Sequence, residues 1–173
     1  MSSPLFLEDL AVGDRWQSQG RTVTETDVVN FAGLTGDYDP LHVDREFARQ
    51  TPFGKPLAHG LLGLSFVAGL ASQCPRVQTL AFLAIQSWEF HKPIFFGDTV
   101  HVVTEVVDKR AQGKRSGRVT WRKELVNQDS QVVQSGIFET LVASAAAPRQ
   151  RRDKPQSARP ASDATTRGSR VRQ

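Results

Sequence analysis

The feature that most constrains the fold is an apolar segment without a polar face, residues 60–73. A helix that is apolar around its whole circumference has to be covered on all sides. Gly63 and Gly69 each cost about 1 kcal/mol in a helix interior, so we expect close packing against both. The segment therefore predicts one central helix with the rest of the chain wrapped around it. Its apolar residues are Leu61, Leu62, Leu64, Phe66, Val67, Ala68, Leu70 and Ala71.

The sequence after this segment alternates between apolar and polar residues. Val100, Val102, Thr104 and Val106, for example, fall on one side of an extended chain. The pattern predicts strands at 79–90, 99–108, 118–126 and 131–142, joined by turns at 93–98, 112–113 and 127–130. Long antiparallel strands after one buried helix indicate an α+β layer architecture.

The elements before the apolar segment are predicted to be short. The first is an edge strand over 14–23, anchored by Trp16, and the next is a helix that Thr24 to Asp27 caps and that ends at 33–36. A second helix over 44–50, capped by Asp44, and a loop over 51–56 follow. In the second helix we expect Phe47 and Ala48 to face inward.

Charge divides the chain into two parts. Residues 144–173 carry a net charge of +6, whereas the rest of the chain carries −2, so the whole-chain value of +4 reflects the tail. The tail contains almost no residues able to form a core, which is typical of disorder. We therefore predict a single domain over 1–143 and a disordered basic tail over 144–173.

Cysteine use and hydropathy indicate the compartment. The single cysteine, Cys74, excludes an internal disulfide and is expected to be a small buried residue at the end of the apolar helix. No basic start followed by an apolar run is visible, and no apolar stretch reaches the ~20 residues of a membrane span. We expect a cytoplasmic protein that does not enter a membrane.

Candidate chemistry is concentrated in residues 36–42, where Asp37 and His42 lie five positions apart. A carboxylate beside an imidazole can divide the roles of activating water and delivering a proton to carbon, because their reference pKa values bracket the useful range. Pro40 stiffens the intervening loop and Gly36 relieves its sterics. On spacing alone, a capped turn without catalytic function remains an alternative.

Three stretches of the chain match a known signature over the region 7–142. They are Thr35-Gly36-Asp37-Tyr38-Asp39-Pro40-Leu41-His42-Val43-Asp44, Pro56-Leu57-Ala58-His59-Gly60 with the helix that follows, and Pro93-Ile94-Phe95-Phe96-Gly97-Asp98-Thr99-Val100. Together they resemble the MaoC-like family of (R)-specific enoyl-CoA hydratases and acyl dehydratases. The resemblance implies a hot-dog fold, in which an antiparallel sheet wraps a long helix, and a homodimer or higher homo-oligomer with active sites at the interface. It also implies a CoA-linked 2-enoyl substrate and no separate cofactor.

By position, the resemblance assigns catalysis to Asp37 and His42, which hold the water that adds across the double bond. It assigns to Gly60 the backbone N–H that binds the thioester oxygen. A first-turn N–H at the positive end of a helix suits that role, and one such donor contributes on the order of 3 kcal/mol in known oxyanion holes. The family usually has Asn where this chain has Asp39, and we interpret Asp39 as a cap of the turn that faces away from Asp37.

Further candidates for substrate binding are Tyr38, Pro40, His59 and Ser65. Tyr38 either lines the acyl tunnel or covers the loop, and His59 is more typical of a residue that starts a helix. Ser65 either reaches the catalytic loop or is a satisfied hydroxyl on the core side of its helix. The acids and histidines of residues 37–59 lack the spacing of a known metal motif, so no metal is predicted.

Alternative functions remain at this point. A hot-dog protein can be an acyl-CoA thioesterase, in which a carboxylate activates water against the carbonyl carbon, or a non-catalytic module that binds acyl thioesters. The basic tail could bind nucleic acid, although no aromatic residue accompanies its arginines for base stacking. We prefer an inert tail and a reversible hydro-lyase.

Overall fold

The computed structural model describes residues 3–146. A short 3₁₀ turn, Leu7–Asp9, precedes the regular elements. In chain order these are β1 (Arg15–Gln17), β2 (Arg21–Thr22), α1 (Glu25–Thr35), α2 (Pro40–Val43), α3 (Arg45–Arg49), α4 (Gly60–Ala71), β3 (Thr79–Phe90), β4 (Thr99–Gln112), β5 (Ser116–Val126) and β6 (Val132–Ala143).

The strands form one antiparallel sheet in the order β1-β4-β5-β6-β3, with β2 also pairing with β4. Buried side chains alternate along β4, as predicted, at Val100, Val102, Thr104 and Val106. This inner face packs against α4 through a core that includes Phe66 and Val67. A sheet wrapped around a central helix confirms the α+β hot-dog architecture, and all four predicted long strands are present.

Helix α4 is not covered on all sides, which corrects one expectation. A Cβ at Gly63 would collide with the Gln134 side chain, so close packing is confirmed there. A Cβ at Gly69 would meet nothing within 4 Å in the described part of the chain, and Leu61 is 58% exposed. One curved sheet can enclose only one side of a helix, so the opposite face of α4 remains exposed in a single chain.

Ser65 lies on this exposed face, contrary to its predicted place on the core side. Its hydroxyl donates to the Leu61 carbonyl one turn earlier, at 2.8 Å. The hydroxyl is therefore satisfied within its own helix, and it makes no hydrogen bond to residues 36–42. A role in substrate binding remains a prediction.

Two further expectations in the small elements were wrong. Phe47 is 46% exposed whereas Ala48 is fully buried, because consecutive residues of a helix point about 100° apart and a single turn cannot bury both. The predicted edge strand over 14–23 is split into β1 and β2. At the break, Ser18 keeps contact with the sheet, since its hydroxyl accepts from the Val102 N–H at 2.9 Å.

Cys74 and the start of the tail also differ from prediction. Cys74 is only half-buried, beyond the end of α4, where its thiol contacts the Gln17 carbonyl at 3.1 Å. Ser144, assigned to the tail, is buried and donates to Glu8, as does the Ala145 N–H. These hydrogen bonds, from Ser144 and then Ala145, hold the pKa of Glu8 below its ordinary value. Ser144 and Ala145 thus contact the folded body, and the rest of the predicted tail, residues 147–173, lies outside the described residues.

The helices of residues 3–146 were also compared with the length and hydropathy of a membrane span. None is both long and apolar enough to cross a bilayer.

Candidate active site

The Asp37 backbone is positioned by the end of α1. The predicted cap over Thr24 to Asp27 is a capping box between Thr24 and Asp27, and it starts this helix. Gly36 ends the helix with φ of 79°, a left-handed conformation that favours glycine. The Asp37 N–H then donates to the Thr35 hydroxyl at 3.3 Å. The Asp37 carboxylate itself is half exposed and accepts from the Asp39 N–H at 3.3 Å.

Asp39 is the N-cap of α2. Its carboxylate accepts from the Leu41 N–H at 2.8 Å, and Pro40 occupies the first helical position. Pro40 thus acts on the geometry of the turn, since its fixed φ suits that position. The side-chain oxygen of Asn could accept the same hydrogen bond, so the unusual residue at position 39 keeps the capping function.

His42 has a defined tautomer. Its Nδ1 lies 2.8 Å from the Leu57 carbonyl, which can only accept, so Nδ1 carries a hydrogen, and in the neutral imidazole the lone pair is on Nε2. Leu57 is held in turn by an antiparallel bridge to Phe95, within the predicted 93–98 turn. The three stretches of the signature therefore converge on one imidazole, which is available as a proton acceptor.

His59 does more than start helix α4. It is 3% exposed, its Nε2 donates to the Asp37 carbonyl at 2.9 Å, and its ring stacks on His42 with centroids 3.8 Å apart. Its Nδ1 is buried and has no hydrogen-bond partner in residues 3–146. His59 thereby ties the Asp37 loop to the first turn of α4, and contact with a substrate remains a prediction.

Gly60 is the first residue of α4, so its N–H belongs to the set that has no acceptor inside the helix. A Cβ here would lie 2.9 Å from the Phe90 ring, which explains the glycine. The Gly60 carbonyl accepts from Gln134 Nε2 at 3.0 Å, and Gln134 Oε1 accepts from Trp88 Nε1 at 3.2 Å. This chain of hydrogen bonds holds the helix start against the inner face of the sheet.

A cavity of about 310 Å³ brings these groups together. His42 and Gly60 both line it, with Leu57, Phe90 and Gln134. A carboxylate oxygen of Asp37 and one imidazole nitrogen each of His42 and His59 lie within 4.8 Å of one another. The structure therefore places the His42 imidazole and the first turn of α4 around one space, and it places the Asp37 carboxylate close to that imidazole without making it part of the lining.

Tyr38 lies outside this cavity. It is 59% exposed, and its hydroxyl lies over α1, 3.5 Å from where a Cβ of Gly33 would be. This position agrees with the alternative that Tyr38 covers the loop. Contact with an acyl chain remains a prediction.

The same acid and two histidines form a donor set that could accept a transition-metal ion. Two of the four imidazole nitrogens are already engaged by the carbonyls of Leu57 and Asp37. The set suits a water molecule held between carboxylate and imidazole equally well, and the absence of a metal remains a prediction.

Gln134 and Trp88 were missed by the sequence interpretation. The available signal was alternation: Gln134 shares the inner face of β6 with Phe138, and both are almost fully buried. A polar side chain on a core-facing position requires hydrogen-bond partners. Without the fold, however, nothing indicates that one of those partners is the carbonyl of Gly60.

The sequence of the chain is similar to one known family and to several of its members. The family model for the MaoC like domain matches residues 10–128. The chain is 36% identical over 115 residues to 3-hydroxybutyryl-CoA dehydratase of Methylorubrum extorquens, covering 65% of this chain and 70% of that protein. It is 34% identical over 102 residues to (R)-specific enoyl-CoA hydratase of Rhodospirillum rubrum, covering 58% and 69%.

A solved structure extends the likeness to the whole fold. The MaoC-like dehydratase from Rhodospirillum rubrum superposes with a TM-score of 0.73 at 31% identity, over 81% of this chain and 97% of that one. The family match covers well over half of the sequence and contains all the active-site candidates. This chain belongs to the MaoC-like domain family.

Proposed function

We propose that the protein is a cytoplasmic hydro-lyase that reversibly adds water to a trans-2-enoyl-CoA thioester and gives an (R)-3-hydroxyacyl-CoA. The observation that carries the proposal is the shared cavity, which His42 and the first turn of α4 both line, with an oxygen of the Asp37 carboxylate within 4.8 Å of the His42 imidazole. The names of the two matched relatives support the same reaction class.

In the proposed reaction, a water molecule is held between Asp37 and His42. Its oxygen bonds to C3 of the enoyl group as one proton passes to the pair, and the pair delivers a proton to C2. Between these events negative charge develops on the thioester oxygen, where the Gly60 N–H donates to it. Dehydration is the reverse, so one set of groups serves both directions.

The test is an assay with crotonyl-CoA that follows loss of the enoyl absorbance and release of free thiol in parallel. We expect loss of absorbance without thiol, with 3-hydroxybutyryl-CoA of the R configuration as product. Thiol release would instead identify a thioesterase. Binding without either change would identify a non-catalytic module, and both results would overturn the proposal.

We also propose that the protein works as a homodimer joined through β3. This strand pairs only with β6 within the described sheet, and it exposes a row of apolar side chains, Leu80, Phe82, Leu83, Ile85 and Phe90. An exposed apolar edge strand favours pairing with another chain.

Light scattering after size exclusion tests this assembly. We expect a dimer for the unaltered protein and a monomer for Ile85→Arg. Leu34→Glu is a matched control, because Leu34 is 83% exposed on α1, outside the row on β3. A monomeric unaltered protein at micromolar concentration would contradict the assembly.

A further inference from the structure

A second cavity, of about 240 Å³, lies at the other end of helix α4. Ala68 and Ala71 of the helix form one wall, and Phe82, Trp121 and Phe138 of the sheet form the other. Ala68 lies about 12 Å along the helix from Gly60, at 1.5 Å per residue, and the two cavities have no lining residue in common. The second cavity is therefore separate from the catalytic one in a single chain.

Two polar groups of this apolar cavity have no hydrogen-bond partner among the described residues. Thr104 and Lys123 lie directly opposite each other on β4 and β5, and both line the cavity. The Thr104 hydroxyl is buried without a hydrogen bond to any residue the structure describes. Lys123 is half-buried, and its Nζ lies over the face of the Phe138 ring, 5.1 Å from the ring centroid.

Within residues 3–146, Lys123 makes no hydrogen bond or ion pair. At the end of α4, the Gly69 carbonyl already accepts from the N–H and hydroxyl of Ser72. Thr140, also in the lining, already accepts from the indole N–H of Trp121 at 2.8 Å. Lys109 shows the contrasting case, since its ammonium donates to the carbonyls of Leu7 and Leu10.

We propose that this cavity binds a short-chain carboxylate, whose oxygens accept from Lys123 and Thr104 and whose chain packs against the aromatic wall. An ammonium and a hydroxyl side by side offer two hydrogen-bond donors, and a carboxylate is an acceptor-only group. At about 30 Å³ per water-sized group, the volume fits about eight non-hydrogen atoms, as in a six-carbon acid. Burial lowers the pKa of Lys123 to about 8, so the ammonium is still present at neutral pH.

The proposal predicts a charge-specific binding difference. Calorimetric titration with hexanoate should show a dissociation constant at least tenfold lower than with hexanamide, which has the same shape without charge. Lys123→Met keeps the side-chain length. It should weaken the binding of hexanoate at least tenfold and leave the affinity for hexanamide unchanged. Lys114→Met, on the exposed hairpin turn, is the matched control and should change neither.

Thr104→Val provides a second variant that retains volume and should weaken hexanoate severalfold even if Lys123→Met does not fold. The proposal is overturned if hexanoate binds no tighter than hexanamide, or if hexanoate binding is unchanged in the variants. These measurements require no turnover. Failure of the carboxylate site is thus distinguishable from failure of the hydro-lyase proposal.

The carboxylate could be the far end of the acyl substrate or a separate small molecule, and kinetics distinguish these sources. If it belongs to the substrate, Lys123→Met lowers kcat/KM at least tenfold for a 2-enoyl-CoA with a terminal carboxylate. The same variant leaves kcat/KM unchanged for a 2-enoyl-CoA whose uncharged chain has equal length. If it is separate, both substrates keep their kcat/KM, and hexanoate binds together with the thioester. This arm alone rests on the proposed function.

Discussion

The two ends of helix α4 differ in how the polar side chains around them are hydrogen-bonded. At the start of the helix, His42, His59 and Gln134 each engage a backbone carbonyl, and these contacts hold one loop, one turn and one strand in fixed relation. Near the end of the helix, Lys123 and Thr104 face an apolar cavity without acceptors from the described chain. The first end is held by hydrogen bonds within the chain, whereas two polar groups at the second end have no acceptor among the described residues.

The largest expected effect tests the organised end. Asp37→Asn and His42→Gln should each lower kcat for crotonyl-CoA hydration by about 10²–10⁴-fold, the usual contribution of a positioned acid or base. Circular dichroism should remain unchanged, since the Asp37 side chain is half exposed and neither side chain belongs to the hydrophobic core.

Asp39→Asn is the matched control for these two variants. The Asn oxygen retains the cap on Leu41, so activity should stay within severalfold of the original. A loss comparable to that of Asp37→Asn would show that Asp39 takes part in the chemistry and that its capping role is incidental.

A smaller effect is expected from Gly63→Ala. The new methyl group would displace the Gln134 amide from the Gly60 carbonyl, and a shift of about 1 Å at a reacting group can cost about 10²-fold in rate. Steady-state kinetics of crotonyl-CoA hydration would show this as a loss in kcat.

Gly69→Ala is the corresponding change on the exposed face of α4. With nothing within 4 Å in residues 3–146, it should raise the free energy of unfolding by about 1 kcal/mol and leave kcat unchanged. A destabilised or inactive Gly69→Ala protein would mean that a second chain approaches the helix there.

The unsatisfied end predicts a pH effect of intermediate size. Lys123 has a pKa of about 8 in the folded protein and an ordinary value of 10.5 when unfolded. Between these values the unfolded chain binds more protons, so the stability of the protein relative to Lys123→Met should rise as pH increases from about 8 to 10.5, by about 1–3 kcal/mol. Denaturant titrations of both proteins across this range measure the difference, and parallel curves would contradict it.

The smallest effect concerns the Thr104 hydroxyl. Thr104→Val removes a buried donor that has no acceptor in the described structure, so without ligand it should raise the free energy of unfolding by about 1 kcal/mol. Saturating hexanoate should reduce or reverse this gain in stability, because the bound carboxylate would accept a hydrogen bond from the Thr104 hydroxyl. Thermal unfolding with and without hexanoate provides the comparison.

The organised end was largely predictable from sequence because its signals are local. Gly36 as a left-handed helix end, the capping of α1 and the start of α4 at Gly60 each depend on residues within a few positions of one another. The four long strands were equally accessible through alternation. The functions of Asp37, His42 and Gly60 came from the family signature and still await the assays above.

The cavity near the end of α4 was not predictable from the sequence, because strand register decides which polar side chains line it. Lys123 occupies an inward position of β5, but only its pairing with Thr104 and the end of α4 above it turn it into a possible ligand group. The packing errors at Phe47 and Gly69 have a similar origin. Both assumed that apolar or small residues of a helix must face protein, whereas a single chain offers cover on one side alone.

The hydrogen bonds from Trp88 through Gln134 to Gly60 link the outermost strand of the sheet to the carbonyl of the first residue of α4. Trp88 belongs to β3, the strand that we expect to meet a second copy. Any loosening of β3 would therefore reach the proposed oxyanion donor through two side chains, and hydration would slow on dilution before the fold itself opened.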